Sequence, residues 1–342
     1  MVSQSEVPRR ALTIGPELTT NSVVLAPMSG VTDIVFRRIA LRLGAGLAVS
    51  EMVACRELAL GDQEARLRAE GEGIGIHIVQ LAGREAVWMA EAARVAEASG
   101  AHVIDINMGC PVKKVVGGHS GSALMKDLDH ALELIEATVA AVSVPVTLKM
   151  RLGWDKGSIN APALARRAEA AGVRLVTVHG RTREQFFTGR ADWNAIREVK
   201  DAVSIPVVAN GDLTEVEDAV VMLEDSGADG VMVGRGAQGR PWFLGEVAHF
   251  LETGSRKESP DLATQHAIAR EHYDGLLSLY GRDTGVRHAR KHLGWYLDEA
   301  CRTAGVALDP QLKAKVMMAS TPEDAQMKLA DAYDSLAWRV AA

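Results

Sequence analysis

The chain has 342 residues, of which 47% are hydrophobic and 24% charged, and its 38 Lys and Arg against 44 Asp and Glu leave a formal charge of −6. This balance excludes a chain that is disordered as a whole, and it excludes the uniformly basic surface of many nucleic-acid binders. The length suits one large α/β domain with an appendage, or two ordinary domains.

The predicted strands are eight short runs rich in β-branched residues. They lie at 23–26, 47–50, 76–79, 102–106, 145–148, 175–178, 206–209 and 230–233. Stretches rich in Ala and Glu, for example 85–98, 128–141 and 161–171, leave room for a helix between neighbouring strands. This alternation predicts parallel strands joined by helical crossovers. Eight such units in about 250 residues favour an α/β fold of the TIM (β/α)8 barrel type over a doubly wound sheet.

A polar segment with Gly, Ser and Pro follows the last predicted barrel helix, and no later segment has the pattern of a strand. Helical patterning at 262–280, 286–301 and 310–341 predicts a small all-α domain. We therefore divide the chain into a barrel domain at 1–251, a linker at 252–262 and a helical domain at 263–342.

The prediction of the cellular location rests on two features that we do not find in the sequence, a membrane span and a secretory signal. No uninterrupted apolar run reaches the length of a membrane span, and the first ten residues lack the apolar stretch of a secretory signal. Three scattered cysteines, Cys55, Cys110 and Cys301, favour neither a disulfide framework nor a zinc site with paired ligands. We expect a cytoplasmic protein without a membrane or metal partner.

Polar residues concentrate at the predicted carboxyl ends of the strands, where the loops of a barrel converge on one mouth. Together with the proline, methionine and glycines beside them, the candidate residues at these ends are, in chain order, Pro27, Met28, Ser29, Gln80, Asn107, Cys110, Lys149, Arg151, His179, Arg181, Arg183, Asn210, Gly211, Asp212, Gly234 and Arg235. The mouth is therefore the predicted site of chemistry.

The glycines after the last two strands predict a phosphate-binding site, because backbone amides there can approach an anion closely. Residues 234–239 also match G-x-G-x-x-G, but this segment follows the final strand of the series, so we reject a dinucleotide-binding unit. Tight turns alone are the alternative explanation for these glycines.

Two mouth residues suggest chemistry of their own. Cys110 follows a strand in a Gly-Cys-Pro sequence, although a lone cysteine is often only a small apolar residue. Lys149 ends an apolar strand, and its charge would need an anionic or carbonyl partner in a ligand or on a neighbouring strand.

The segment 281–295 carries four basic residues against Asp283. His288 and His292 have the i, i+4 spacing of metal ligands, but Arg287, Arg290 and Lys291 between or beside them indicate a basic helix face. Such a face either contacts a phosphate backbone or is simply solvated.

Several of these motifs together resemble the tRNA-dihydrouridine synthases, and the bacterial B-type branch in particular. The similarity runs from about residue 22 to 297. The motifs are APMSGVTD at 26–33, DINMGCP at 105–111, KMR at 149–151, VHGRTR at 178–183, GRPW at 239–242, and RKH at 290–292 with WY at 295–296. The resemblance implies an FMN-containing barrel and a helical domain that bind tRNA and reduce the C5=C6 bond of D-loop uridines. It also implies NADPH as the reductant of the flavin.

The resemblance also assigns residues. It implies FMN contacts by Pro27, Met28, Ser29, Gln80, Lys149, His179, Asn210, Gly211, Asp212, Gly234 and Arg235. Cys110 matches the proton donor, and Asn107 and Arg151 match contacts to the target uracil. Ser29 stands where alanine is common in the family, which leaves the assignment intact.

Binding of tRNA by an acidic protein requires local basic patches. The candidates for phosphate contacts are Lys113, Lys114, Arg181, Arg183, Arg287, Arg290 and Lys291. Two alternatives remain open: an FMN-dependent barrel dehydrogenase or ene-reductase acting on a free small molecule, and a non-catalytic RNA-binding regulator. The sequence suggests no obligate protein partner.

Overall fold

The computed structural model describes residues 11–16 and 18–341. Residues 1–10, where we expect no secretory signal, and Glu17 lie outside the described residues. Eight parallel strands form a closed barrel. The strands are β3 Val23–Leu25, β4 Leu47–Ala54, β5 Ile78–Ala82, β6 Val103–Met108, β7 Val146–Arg151, β8 Leu175–His179, β9 Val207–Asn210 and β10 Gly230–Val233. Each pairs with the next along the chain, and β10 pairs with β3 to close the barrel. The predicted TIM barrel is confirmed.

Helices surround the barrel. The helices before the last barrel strand are α1 Ile34–Arg42, α2 Cys55–Ala59, α3 Gln63–Arg68, α4 Ala86–Ala98, α5 Lys113–Gly117, α6 Leu128–Ala141, α7 Ala161–Ala170, α8 Asn194–Lys200 and α9 Asp218–Ser226. Helix α10 Phe243–Thr253 follows β10, and two 3-10 turns lie at Gly121–Lys126 and Arg235–Ala237. The three barrel helices predicted from composition correspond to α4, α6 and α7.

A hairpin that sequence patterning did not predict precedes the barrel. Strands β1 Ala11–Ile14 and β2 Leu18–Asn21 pair antiparallel. The buried side chains of Leu12 and Ile14 pack with apolar residues near the starts of the barrel strands, such as Leu47 and Val103. The hairpin therefore covers the amino-terminal end of the barrel, opposite the predicted site of chemistry.

The carboxyl-terminal part is all helical, with α11 Leu262–Tyr280, α12 Arg282–Ala304, α13 Pro310–Met318 and α14 Pro322–Ala341. The stretch 310–341, predicted only to have helical patterning, forms two helices, because Pro322 cannot continue a helix from the preceding residues. The chain turns at 319–321, and Thr321 Oγ1 accepts a hydrogen bond from Asp324 N at 3.2 Å.

The segment between the barrel and α11 is shorter than the predicted linker, because α10 ends at Thr253 and α11 begins at Leu262. It is also attached to the barrel: Ser259 Oγ donates to Glu246 Oε1 at 2.7 Å. The division into domains at these boundaries stays a prediction. No helix among the described residues is long and apolar enough to span a membrane.

The helical part packs directly on the barrel. Ile39 of α1 and Trp242 belong to the same buried apolar cluster as residues of α11, α12 and α14. Gly239 adopts φ +74°, and a Cβ there would lie 2.3 Å from the carbonyl oxygen of Trp295. The two backbones approach too closely for any side chain at position 239, so this glycine permits the contact between barrel and helices.

Candidate active site

A cavity of about 790 Å³ opens at the carboxyl ends of the barrel strands. Every predicted FMN contact lines it, together with Cys110, Asn107, Arg151 and Arg181. This volume lies within the range of small-molecule and cofactor sites. The structure thus brings these residues together around one space, as the barrel prediction required, while the role of each remains a prediction.

Lys149 lies at the bottom of this cavity on β7. Its side chain is 9% exposed, and Nζ donates to Asn210 Oδ1 at 3.1 Å. Burial, and after it the charge of Arg151, lower the pKa of Lys149 to about 8, although the Asp105 carboxyl opposes the change. A buried ammonium beside one neutral amide is poorly compensated, so this position favours an anionic ligand.

Four consecutive hydrogen-bonding groups, which we name the polar relay, connect the barrel interior to the Cys110 loop. The carboxylate of Asp105 accepts a hydrogen bond from Gln80 Nε2 at 2.7 Å, and Gln80 Oε1 accepts one from Asn107 Nδ2 at 2.8 Å. Asn107 Oδ1 then accepts a hydrogen bond from Cys110 N at 3.1 Å. Burial leaves the pKa of Asp105 above its usual value, although the hydrogen bonds from Thr147 and Gln80 and the charge of Lys149 oppose the change.

Cys110 is partly buried at the edge of the cavity. Its carbonyl oxygen accepts hydrogen bonds from Ser122 Oγ at 2.9 Å and Ser122 N at 3.1 Å, which fix the backbone of the loop. Burial raises the pKa of the Cys110 thiol despite opposing contributions from Arg151 and Lys149. The thiol is therefore a neutral proton donor near pH 7 and not a thiolate.

Arg151 and Arg181 hold the loops around the mouth. Arg151 Nε donates to Gly109 O at 2.8 Å, and its Nη1 donates to Thr182 O at 2.9 Å and to Phe186 O at 2.8 Å. Arg151 thus connects the Cys110 loop to the loop after β8. Because Nε and Nη1 make these hydrogen bonds, the predicted contact of Arg151 with the uracil would have to use Nη2.

The geometry does not favour the predicted phosphate contact of Arg181, because its side chain is only 1% exposed. Its Nη2 donates to Asp212 Oδ2 and to Gly189 O, both at 2.6 Å. Its Nη1 lies 3.2 Å from His179 Nε2. Since Arg can only donate, Nε2 of His179 accepts and the ring is neutral with its proton on Nδ1. Burial also lowers the pKa of His179 well below its usual value.

The loops after β9 and β10 form the predicted phosphate site. Gly211 has φ +125°, and a Cβ there would lie 2.9 Å from His179 Cδ2. Burial raises the pKa of Asp212, but the hydrogen bond from Arg181 outweighs burial and leaves this pKa below its usual value. Arg235 Nη2 lies 3.3 Å from Asp212 Oδ1 and remains exposed. A phosphate here would meet close backbone and the Arg235 guanidinium, while the Asp212 carboxylate is already paired.

The other predicted tRNA contacts lie outside the cavity. Lys113 and Lys114 are exposed at the start of α5, and Arg287 is exposed on α12. Arg183 is half-buried with Cζ 4.5 Å from the ring centre of Trp154, and Arg290 Nη2 donates to Ala319 O at 3.3 Å.

Lys291 lies close to the mouth although it belongs to α12. Its Nζ is 3.0 Å from the position that a Cβ on Gly30 would occupy, and Gly30 follows the cavity-lining residues Met28 and Ser29. The helical part therefore brings a positive charge to the edge of the cavity.

Sequence reasoning missed some residues of the cavity wall. Met52, Phe187, Leu213 and Thr214 also line it. Phe187 is 49% exposed, and its ring centre lies 5.4 Å from Arg151 Cζ and 5.5 Å from Arg235 Cζ. The pair Phe186-Phe187 in a polar loop after a barrel strand was a usable signal for this aromatic surface. Met52 offered none, because β4 continues four residues past its predicted end.

Comparison with known proteins gives a consistent picture. The family model described as dihydrouridine synthase (Dus) matches residues 24–336. A probable tRNA-dihydrouridine synthase of Rhizobium leguminosarum bv. phaseoli is 58% identical over 92% of this chain and 96% of its own length. The tRNA-dihydrouridine synthase B of Xanthomonas campestris pv. campestris is 47% identical over 94% of this chain and 96% of its own length.

Solved structures with a similar fold are more distant in sequence. The old yellow enzyme homologue of Zymomonas mobilis has a TM-score of 0.52 at 17% identity, covering 73% of this chain and 94% of that one. Morphinone reductase in complex with tetrahydroNAD has a TM-score of 0.51 at 14% identity, covering 75% of this chain and 93% of that one. At this identity the likeness concerns the fold alone.

Proposed function

The chain belongs to the dihydrouridine synthase family, and we propose that it is an FMN-dependent tRNA-dihydrouridine synthase that reduces the C5=C6 bond of D-loop uridines with NADPH as reductant. The observation that carries this proposal is the presence of a neutral thiol, Cys110, and a buried ammonium, Lys149, in the wall of one cavity. An acid and a stabiliser of negative charge are what the reduction of a conjugated double bond requires.

The residues present fit a flavin mononucleotide. The buried, poorly compensated ammonium of Lys149 suits the anionic edge of a reduced flavin ring, and the Gly211 and Arg235 loops suit its phosphate. The other contacts that we propose are Pro27, Met28, Ser29, Gln80, His179, Asn210, Asp212 and Gly234. When bound, the flavin supplies the hydride for C6 of the uracil.

Cys110 completes the reduction by giving a proton to C5. Addition at C6 leaves negative charge on C5 and on the C4 carbonyl oxygen, so a proton donor must stand near C5. The thiol of Cys110 is protonated near neutral pH because burial raises its pKa. Its loop is held by Asn107 and Ser122, so the donor keeps a defined position. Asn107 and Arg151 are the proposed contacts to the uracil ring.

The target base must leave the tRNA stack to enter the cavity, which costs about a few kcal/mol. Contacts to the folded tRNA offset that cost. We assign these contacts to the exposed basic residues Lys113, Lys114 and Arg287, with Lys291 beside the cavity. Arg183 and Arg290 are weaker candidates because both are partly buried. A tRNA substrate also favours a cytoplasmic location.

The experiment compares two cysteine variants of the flavin-loaded protein on tRNA that lacks dihydrouridine. Cys110→Ala is expected to keep its flavin and to oxidise NADPH, but to form dihydrouridine about a hundredfold more slowly or worse. Cys301→Ala, in the helical part, is the matched control and is expected to behave as the unchanged protein. Dihydrouridine is measured by mass spectrometry of digested tRNA.

Two results would contradict the proposal. Full dihydrouridine formation by Cys110→Ala would remove this thiol from the reaction. An unchanged protein that binds flavin but forms no dihydrouridine in any tRNA would overturn the proposed activity itself.

A further inference from the structure

The three side chains of the polar relay are almost completely buried. Gln80 is fully buried, and Asp105 and Asn107 are almost so. Asp105 also accepts a hydrogen bond from Thr147 Oγ1 at 2.6 Å, so each carboxylate oxygen has a donor. Side chains buried to this extent have little access to water that could replace a lost partner, so each member depends on the next.

The direction of the hydrogen bonds is determined from both ends. An ionised carboxylate can only accept, so Gln80 must present Nε2 to Asp105 and therefore Oε1 to Asn107. At the other end the backbone N–H of Cys110 can only donate, so Asn107 must present Oδ1 to it and Nδ2 to Gln80. The orientations of the Gln80 and Asn107 amides inferred from the Asp105 end are therefore the same as those inferred from the Cys110 end.

We infer that Asp105 is a positioning residue for the proposed reaction: its carboxylate sets the orientation of the Gln80 and Asn107 amides and thereby holds the Cys110 loop. Each amide nitrogen has two hydrogens and the relay uses one, so both residues keep an N–H donor for a ring that carries carbonyl oxygens. This inference rests on the proposed function, which supplies the ring, but the hold on the Cys110 loop does not depend on it.

Replacing Asp105 by Leu shows what its acceptor oxygen does, because leucine is similar in size and has no polar atom. Gln80 Nε2 then loses its partner at a buried position. Gln80 is no longer held in one amide orientation, so Asn107 Nδ2 loses its fixed acceptor. The hold of Asn107 Oδ1 on the Cys110 N–H weakens in turn, although the substitution lies elsewhere. Asp105→Asn would disturb the relay less, because its amide can turn its oxygen to Gln80 and donate to the Thr147 hydroxyl.

The test compares Asp105→Leu with a double variant in which positions 80 and 105 are again hydrogen-bond partners. In the Gln80→Glu/Asp105→Asn double variant, the amide at 105 donates to the carboxylate at 80, which also accepts from Asn107. Thr147→Val is the matched control, because it removes the other hydrogen bond of Asp105 and leaves the relay intact. All four proteins are purified with flavin, and alkylation of Cys110 by iodoacetamide is followed by peptide mass spectrometry, which separates it from Cys55 and Cys301.

The expected result is a pattern across the variants. Asp105→Leu should be alkylated at Cys110 at least fivefold faster than the unchanged protein, while the double variant and Thr147→Val stay within twofold of it. With tRNA, kcat of Asp105→Leu should fall about tenfold while KM for NADPH stays within twofold. Unchanged alkylation in a folded Asp105→Leu, faster alkylation in the double variant, or an equal effect of Thr147→Val would overturn the inference.

The double variant also tests the relay if Asp105→Leu does not fold. A folded double variant with normal Cys110 alkylation supports the relay, and an unfolded one refutes it. Loss of the proposed function would be recognised separately, because the unchanged protein would then form no dihydrouridine while the alkylation pattern still tested the relay.

Discussion

The charge of Lys149 should lower the free energy of unfolding of the flavin-free protein, compared with a protein that has an uncharged side chain at this position. The pKa of this lysine falls from the usual 10.5 to about 8, chiefly because burial disfavours the ammonium. Since one unit of pKa corresponds to about 1.4 kcal/mol, the cost of keeping Lys149 charged in the folded protein is about 3 kcal/mol. The isosteric apolar variant Lys149→Met removes this cost.

The effect depends on pH in a defined direction. The folded pKa lies below the unfolded one, so the cost is fully present below pH 8 and disappears as the pH rises from about 8 toward 10.5. Flavin-free Lys149→Met is therefore expected to exceed the unchanged protein in free energy of unfolding by up to about 3 kcal/mol at pH 7. The gain should shrink at pH 9.5, and urea unfolding at both pH values measures it.

The exposed Lys257, replaced by Met, is the matched control and should change stability little at either pH. The reasoning is refuted if flavin-free Lys149→Met is less stable than the unchanged protein at pH 7, or if the difference between them is the same at both pH values. The same variant should bind flavin mononucleotide more weakly, because the anion then loses its buried partner.

Two further predictions concern the contact with the helical part and the tRNA surface. Gly239→Ala should destabilise the protein by about 1–3 kcal/mol more than Gly254→Ala. Both glycines have positive φ, but of the two only position 239 places a Cβ against backbone, at the carbonyl oxygen of Trp295. Equal urea midpoints for the two variants would disprove the close approach. Lys113→Gln/Lys114→Gln should weaken tRNA binding and reduce the slope of log affinity against log salt by up to about 1.5, with NADPH oxidation unchanged. An unaltered slope would exclude both lysines as phosphate contacts.

The barrel could be predicted because its signals are local. A run such as 230–233 is apolar and β-branched on its own, and helix α6 begins after Asp127, whose carboxylate caps it by accepting from Asp129 N and His130 N. The hairpin of β1 and β2 was missed because only its packing against the barrel interior distinguishes it from a loop. The break before Pro322 has a local signal, because proline starts a helix readily and does not continue one.

By itself, the sequence determined the barrel and which side chains stand at its mouth, because strand ends in a parallel barrel converge wherever the strands occur along the chain. Only the tertiary structure decided what those side chains do with one another. It buried Arg181 against Asp212, aligned Gln80 with Asp105, and brought Lys291 of α12 beside Gly30. These partners are far apart along the chain, and whether a polar group meets solvent, a ligand or another residue depends on packing that no local pattern records.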